Sequence, residues 1–213
     1  MVISYAGVGS FRIQFGDTVI AYNPISKDSS YKAQSFGADI VLVAANHPDM
    51  NGVAQASRKD KEPFVVSGPG EYEIGGIFVQ GFPAKTLYGG EEKLSTVYLM
   101  ELEGMNLCFL GPLASSDELS AETKEALDDI DILFAPIGGE GTLGPADTHK
   151  LAVKLAPHLI IPMHYEGKEG KSALAAFLKE AGAESSAAEA KLTIKKKDLE
   201  GKENEVVVLS PTV

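Results

Sequence analysis

Apolar residues alternate with polar ones, or run together, in short blocks at 3–5, 11–15 and 18–22, the period-two pattern of strands. Gly16-Asp17 reads as the turn between the last two, and Asn23-Pro24 closes the meander. Residues 38–44 form an apolar run broken only by Asp39, which predicts a strand covered on both faces. A short helix suits 51–58, and strands follow at 64–66, at 71–82 around a Gly75-Gly76 turn, and in a hairpin of 94–102 with 106–110 about Glu103-Gly104. The pattern then changes. Helices are predicted at 120–127 with Ser120 as the cap, at 146–155, and at 171–181 ending at Gly182. They alternate with short buried strands at 130–135, 159–161 and 206–209, while 183–190 reads as loop or frayed helix. A meander followed by αβ units predicts two packed sheets with helices outside, an α+β chain. The β-rich first half is expected to supply one sheet and the αβ-rich second half the other. No linker interrupts the pattern, so residues 1–213 are read as one domain.

Composition adds exclusions. At 213 residues, with 44 % hydrophobic and 23 % charged side chains, the chain can bury a core without staples. A single cysteine, Cys108, excludes an internal disulfide and a multi-cysteine zinc site. No apolar run is long enough for a membrane span, and the strand-like start after Met1 lacks a signal-peptide pattern, so a cytoplasmic location is expected. The net charge of −11 opposes a phosphate backbone, and the one basic run, Lys195-Lys196-Lys197, is followed by Glu200, Glu203 and Glu205. Neither nucleic acid nor membrane is expected as a partner; a small molecule, a protein or a second copy of the chain stays open.

Three segments carry candidate chemistry. Gly7-Val8-Gly9-Ser10 lacks the third glycine and following helix of a dinucleotide loop, so it reads as a tight turn. His47 and Asp49 directly follow the 38–44 strand, at the end where α/β sheets present ligand groups. Two readings fit them: a shared cation, or Asp49 as a helix cap beside a polar turn histidine. His164 stands in the same relation to the 159–161 strand. His158 reads as a partner for a helix C-terminus, and Cys108 as a small buried hydrophobe.

Taken as a set, these segments resemble the metallo-β-lactamase superfamily, in particular the branch similar to L-ascorbate-6-phosphate lactonases and predicted metal-dependent hydrolases. The resemblance runs through residues 7–11, 21–24, Ala44-Ala45-Asn46-His47-Pro48-Asp49-Met50-Asn51-Gly52, Gly68-Pro69-Gly70-Glu71-Tyr72-Glu73, 95–98, Leu110-Gly111-Pro112, 131–139 and Ile161-Pro162-Met163-His164-Tyr165. It implies a four-layer αββα sandwich with a metal crevice at one rim of the two sheets. It also implies that His47, Asp49 and His164 stand at metal-ligand positions. Other positions of that pattern have changed. Ala45 and Met50 replace histidines, Pro112 replaces the bridging aspartate, and no histidine lies between His47 and His149. Val8 and Asn23 stand where supporting histidine and aspartate residues are usual. Alanine, methionine and proline supply no hard donor, so the expectation is either no metal or one weakly bound zinc or manganese ion. Asp147 and His149, after a glycine-rich loop, are the candidates to replace a lost ligand. A non-catalytic binding or scaffold role is therefore the first reading; a divergent lactonase- or phosphoesterase-like hydrolase using one metal is the alternative.

Overall fold

The computed structural model describes residues 1–212, and their side chains apart from those of residues 167–170. Strands β1 (Val2–Gly7), β2 (Ser10–Phe15) and β3 (Thr18–Tyr22) form the predicted antiparallel meander. Their alternation turns Ile3, Tyr5, Phe11 and Ile13 into the core. Parallel strands β4 (Ile40–Leu42) and β5 (Phe64–Val66) extend this sheet on one side, and β12 (Leu192–Thr193) pairs with β1 on the other.

The second sheet combines antiparallel β6 (Gly70–Ile74), β7 (Ile77–Thr86), β8 (Lys93–Leu102) and β9 (Met105–Phe109) with parallel β10 (Ile132–Pro136), β11 (Leu159–Met163) and β13 (Glu205–Val206). The expected division of the chain into halves therefore shifts. Residues 70–109 belong to the second sheet, because unbroken antiparallel pairing from β6 to β9 leads into parallel pairing of β9 with β10. A strand near the C-terminus, β12, returns to the first sheet. Helices are few: α1 (Val53–Ala56), α2 (Ala121–Ala126), α3 (Pro145–Leu155) and α4 (Gly167–Glu180). Ser120 caps α2 as predicted, its hydroxyl accepting the Thr123 N–H. The 38–44 run keeps only three residues in regular pairing, and the final strand only two.

The inner faces meet through aromatic rings. Phe11 of the first sheet lies edge-on to Phe134 of the second at 4.8 Å, and Tyr22 stacks on Phe109 at 4.3 Å. Phe109 and Phe134, neighbours within the second sheet, stack at 4.2 Å. The outer face of the first sheet carries a thinner cluster of Val19, Ala21, Val41 and Val43, covered by Ala56, Val53 and Phe36. Small residues suit a layer made of one helical turn and a stretch of irregular chain.

Two carboxylates tie the ends of strands. The Val19 N–H donates to Asp39 at 2.9 Å, and Lys61 and Arg58 add ammonium and guanidinium contacts at 2.9 and 3.3 Å. The backbone donor first, then these cations, hold the Asp39 carboxyl below its ordinary range. Asp131 is fully buried before β10 and accepts the Asn106 N–H at 2.8 Å and the Lys196 ammonium at 2.7 Å on each oxygen. His158, read from sequence as a helix-end partner, instead places Nδ1 3.4 Å from Asp131. Replacing Lys196→Met leaves that buried carboxylate short of its charged donor. We expect a loss of about 2 kcal/mol in urea unfolding, with an unchanged slope, the range for a hydrogen bond to a charged group. An unchanged midpoint would show that Asn106 and His158 satisfy Asp131 alone.

Candidate functional site

Each sheet contributes one side of a crevice at its rim. On the first sheet, Asn23 follows β3 in the left-handed region at φ 45°. Its N–H donates to Leu42 O at 2.8 Å, and its side-chain oxygen accepts the Ala44 N–H at 2.7 Å. The chain leaving β4 is thereby pinned before it turns. In the turn, the Met50 and Asn51 N–H groups donate to His47 O, and the Asp49 N–H donates to His47 Nδ1 at 3.2 Å. That last bond makes Nδ1 an acceptor, while Nε2 lies against Gly89. Asp49 does not cap a helix, since Gly52 precedes α1 and makes no side-chain cap. Its carboxylate is nearly buried, accepts hydroxyls from Ser29 and Tyr88, and lies 3.5 Å from His47 Nδ1.

On the second sheet, His164 follows β11 in the left-handed region at φ 62°, with its N–H donated to Val8 O. The Gly7–Ser10 segment is the tight turn expected of it, and Val8 itself sits at φ 58°. Glycine at position 9 has a spatial cause: a Cβ there would stand 2.6 Å from His164 Nε2. A Cβ on Gly138 would stand 2.3 Å from His164 O. The imidazole is therefore seated against the Gly9 backbone, and the His164 backbone against Gly138, at approaches that only glycine allows. Its Nε2 is buried and has no hydrogen-bond partner among the described residues. Desolvation pushes the His164 pKa down to about 4, opposed in part by the charge of Asp49.

Between the two histidines stands Tyr88, which sequence reasoning missed. Its ring meets His47 edge-on at 4.9 Å and His164 edge-on at 5.4 Å, and its hydroxyl donates to Asp49 Oδ2 at 2.7 Å. The available signal was an aromatic residue followed by Gly89-Gly90 in an otherwise polar connection. An open depression of about 630 Å³ is lined by Tyr31, His47, Asp49, Tyr88 and Glu140. A smaller pocket of about 60 Å³, lined by Val8, Tyr88, Gly138, His164 and Glu166, adjoins the same tyrosine. Tyr5 donates to Glu166, whose carboxyl is raised chiefly by burial.

His47, Asp49 and His164 thus gather around one side chain. Asp147 does not join them: it is 68 % exposed and lies 3.5 Å from Lys150. His149, on α3, lines neither cavity. Ala45 pairs with Ser95, and Met50 is fully buried. Among the described residues, no three histidine, cysteine, aspartate or glutamate side chains cluster closely enough to hold a metal ion. A pair of cations does not fit these donors. What remains is a carboxylate on Asp49 and, on His164, a buried nitrogen without a hydrogen-bond partner among the described residues, the donor types that a single cation would use.

The model of the beta-lactamase superfamily domain matches residues 2–164. The chain belongs to this superfamily. Its resemblance to the family is borne out, and so is the α+β fold with two packed sheets. A UPF0173 metal-dependent hydrolase of Thermococcus onnurineus is 26 % identical over 184 residues, 74 % of this chain and 79 % of that protein. A crystal structure of a metallo-β-lactamase superfamily protein from Thermotoga maritima matches with a TM-score of 0.76 and 27 % identity, covering 98 % of this chain and 97 % of that one. The metallo hydrolase Igni18 of Ignicoccus hospitalis shares the fold at a TM-score of 0.67 and 18 % identity, over 100 % and 96 % of the two chains. No helix among the described residues is long and apolar enough to cross a membrane.

Burial of the neutral imidazole has a measurable consequence for this superfamily chain. The unfolded histidine takes up its proton near its ordinary value of 6.5, whereas the folded one stays neutral to about pH 4. Between those values the unfolded state binds more protons, so this contribution to stability falls as pH falls and is constant above the window. His164→Asn keeps a residue that tolerates positive φ and removes the titration. We expect wild-type stability, measured against this variant without added metal, to decline from pH 6.5 to 4. Parallel curves across that range would show that the imidazole protonates in place.

Proposed function

We propose that this chain is a divergent metal-dependent hydrolase working with one divalent cation, held by Asp49 and His164 with His47 beside them. The observation that carries the reading is His164 Nε2, a buried nitrogen without a partner among the described residues, which feels the charge of the Asp49 carboxylate. A buried acceptor left unsatisfied is costly, and a cation would remove that cost. Carboxylate with imidazole suits zinc or manganese. The name of the Thermococcus onnurineus relative, a metal-dependent hydrolase, supports the same direction.

When bound, the cation would polarise a carbonyl or phosphoryl oxygen of the substrate. The chain's own part is to admit and orient that substrate. The depression beside His47 and Asp49 is open to a small molecule, and Tyr31, Tyr88 and Glu140 line its wall. Because burial keeps His164 neutral above about pH 4, its imidazole would offer the cation a lone pair rather than a competing positive charge. The acidic chain, at −11, favours a neutral ester or lactone over a multiply charged phosphoester.

A second reading, ligand binding without turnover, is favoured by one observation: both Asp49 oxygens already accept hydroxyl hydrogen bonds, from Ser29 and Tyr88. The two readings separate in protein purified without chelator. For the hydrolase we expect zinc or manganese to bind, with affinity falling by more than about 10-fold in His164→Ala. Turnover of a lactone or ester panel is then expected to be abolished by chelator. Absence of both binding and turnover would leave the non-catalytic role.

A further inference from the structure

We propose that Tyr88 is a built-in stopper of the cation position, and that its phenol must swing away from Asp49 before a divalent cation binds. The inference rests on the single-cation reading of the same site and names what controls it. Tyr88 contacts all three candidate donors, through its ring to both histidines and through its hydroxyl to Asp49. Its oxygen lies 2.7 Å from Asp49 Oδ2. A zinc ion on that carboxylate oxygen sits at about 2.0–2.2 Å, so phenol and cation compete for one place. The phenol proton supplies the positive end of a dipole to Asp49, a weak counterpart of the charge a cation would bring.

The segment carrying Tyr88 is built to move. Six residues, 87–92, join β7 to β8. Gly89 and Gly90 sit at φ 83° and 88°, where glycine rotates freely and other residues do not. Backbone anchoring is sparse: Leu87 N–H donates to Gly141 O at 3.2 Å, Gly90 N–H to Leu87 O at 2.9 Å, and Tyr88 N–H to Thr86 Oγ1 at 3.0 Å. Leu87 is half exposed, and the nearest buried anchor before the tyrosine is Thr86 at the end of β7. A turn of the Gly89-Gly90 pair would carry the phenol toward the open depression that it already lines. Exit would free Asp49 Oδ2 of its phenol partner on the side of that depression.

The test is manganese binding to the full chain, followed by calorimetry and by the electron paramagnetic resonance of free manganese, with zinc as a second probe. Tyr88→Phe keeps the ring and deletes the hydroxyl, and circular dichroism checks its fold. We expect it to bind manganese roughly 10-fold or more tightly than wild type, the effect of deleting one hydrogen bond to a charged acceptor. A second readout follows from composition: the chain has no tryptophan and seven tyrosines, so its fluorescence is that of tyrosine. Zinc, which does not quench, is expected to raise wild-type emission as the phenol leaves the carboxylate, with no such rise in Tyr88→Phe. Binding to Tyr88→Phe alone supports a stopper that closes the site fully. Equal or weaker binding by Tyr88→Phe, or zinc binding by wild type without a fluorescence change, would overturn the stopper and leave the single-cation reading intact. Absence of binding by either protein, with both folded, would overturn the cation reading and the stopper together.

Discussion

The edge-on meeting of Phe11 with Phe134 is the contact on which the rest depends, because it locks one sheet to the other at a fixed stagger. With Tyr22 on Phe109 and Phe109 on Phe134, it forms a continuous aromatic run through the interior. Neither sheet holds a site alone. The first presents His47 and Asp49, the second His164 and Tyr88, and a slip of either sheet would separate them. Rings of this size contribute both buried area and orientation, which flexible aliphatic side chains supply less well.

Polar groups near the rim obey the same economy of space. Where two sheets converge, backbone approaches backbone, and Gly9 and Gly138 leave room for His164 where any Cβ would intrude. The imidazole is thus desolvated without a compensating hydrogen bond at Nε2 among the described residues. Such a group is normally paired. Across the crevice, Asp49 has traded water for two hydroxyl donors. One side of the site is short of a partner while the other is fully engaged, and Tyr88 is what keeps the imbalance.

Much of this was legible in the sequence. Alternation placed β1 to β3 and continuous apolar runs placed β10 and β11, both from local periodicity, while turn glycines such as Gly75-Gly76 placed the hairpins. His47, Asp49 and His164 stood out because they follow buried strands. The assignment of 70–109 to a sheet was not legible, because hairpins look alike whichever neighbour they adopt. Tyr88 was missed for a related reason: a tyrosine in a glycine-rich connection has no period, and only the closed fold brings it against residues that lie about forty positions earlier and seventy-five later. The reach of Asp147 failed on orientation, since one helical step decides whether a side chain faces crevice or solvent.

The thin cover over the first sheet has an effect beyond packing. Residues 24–39 contain no helix or strand, and most of 27–37 is partly or fully exposed. Ser29, one of the two hydroxyl donors to Asp49, rides on this segment. Sub-global opening is cheapest where few apolar contacts must be broken, so this stretch is the region whose amides would exchange earliest with solvent deuterium. Each such excursion would withdraw Ser29 from the carboxylate while both sheets stayed folded. The electrostatics at Asp49 would then follow a local unfolding event in a stretch of chain that enters neither sheet.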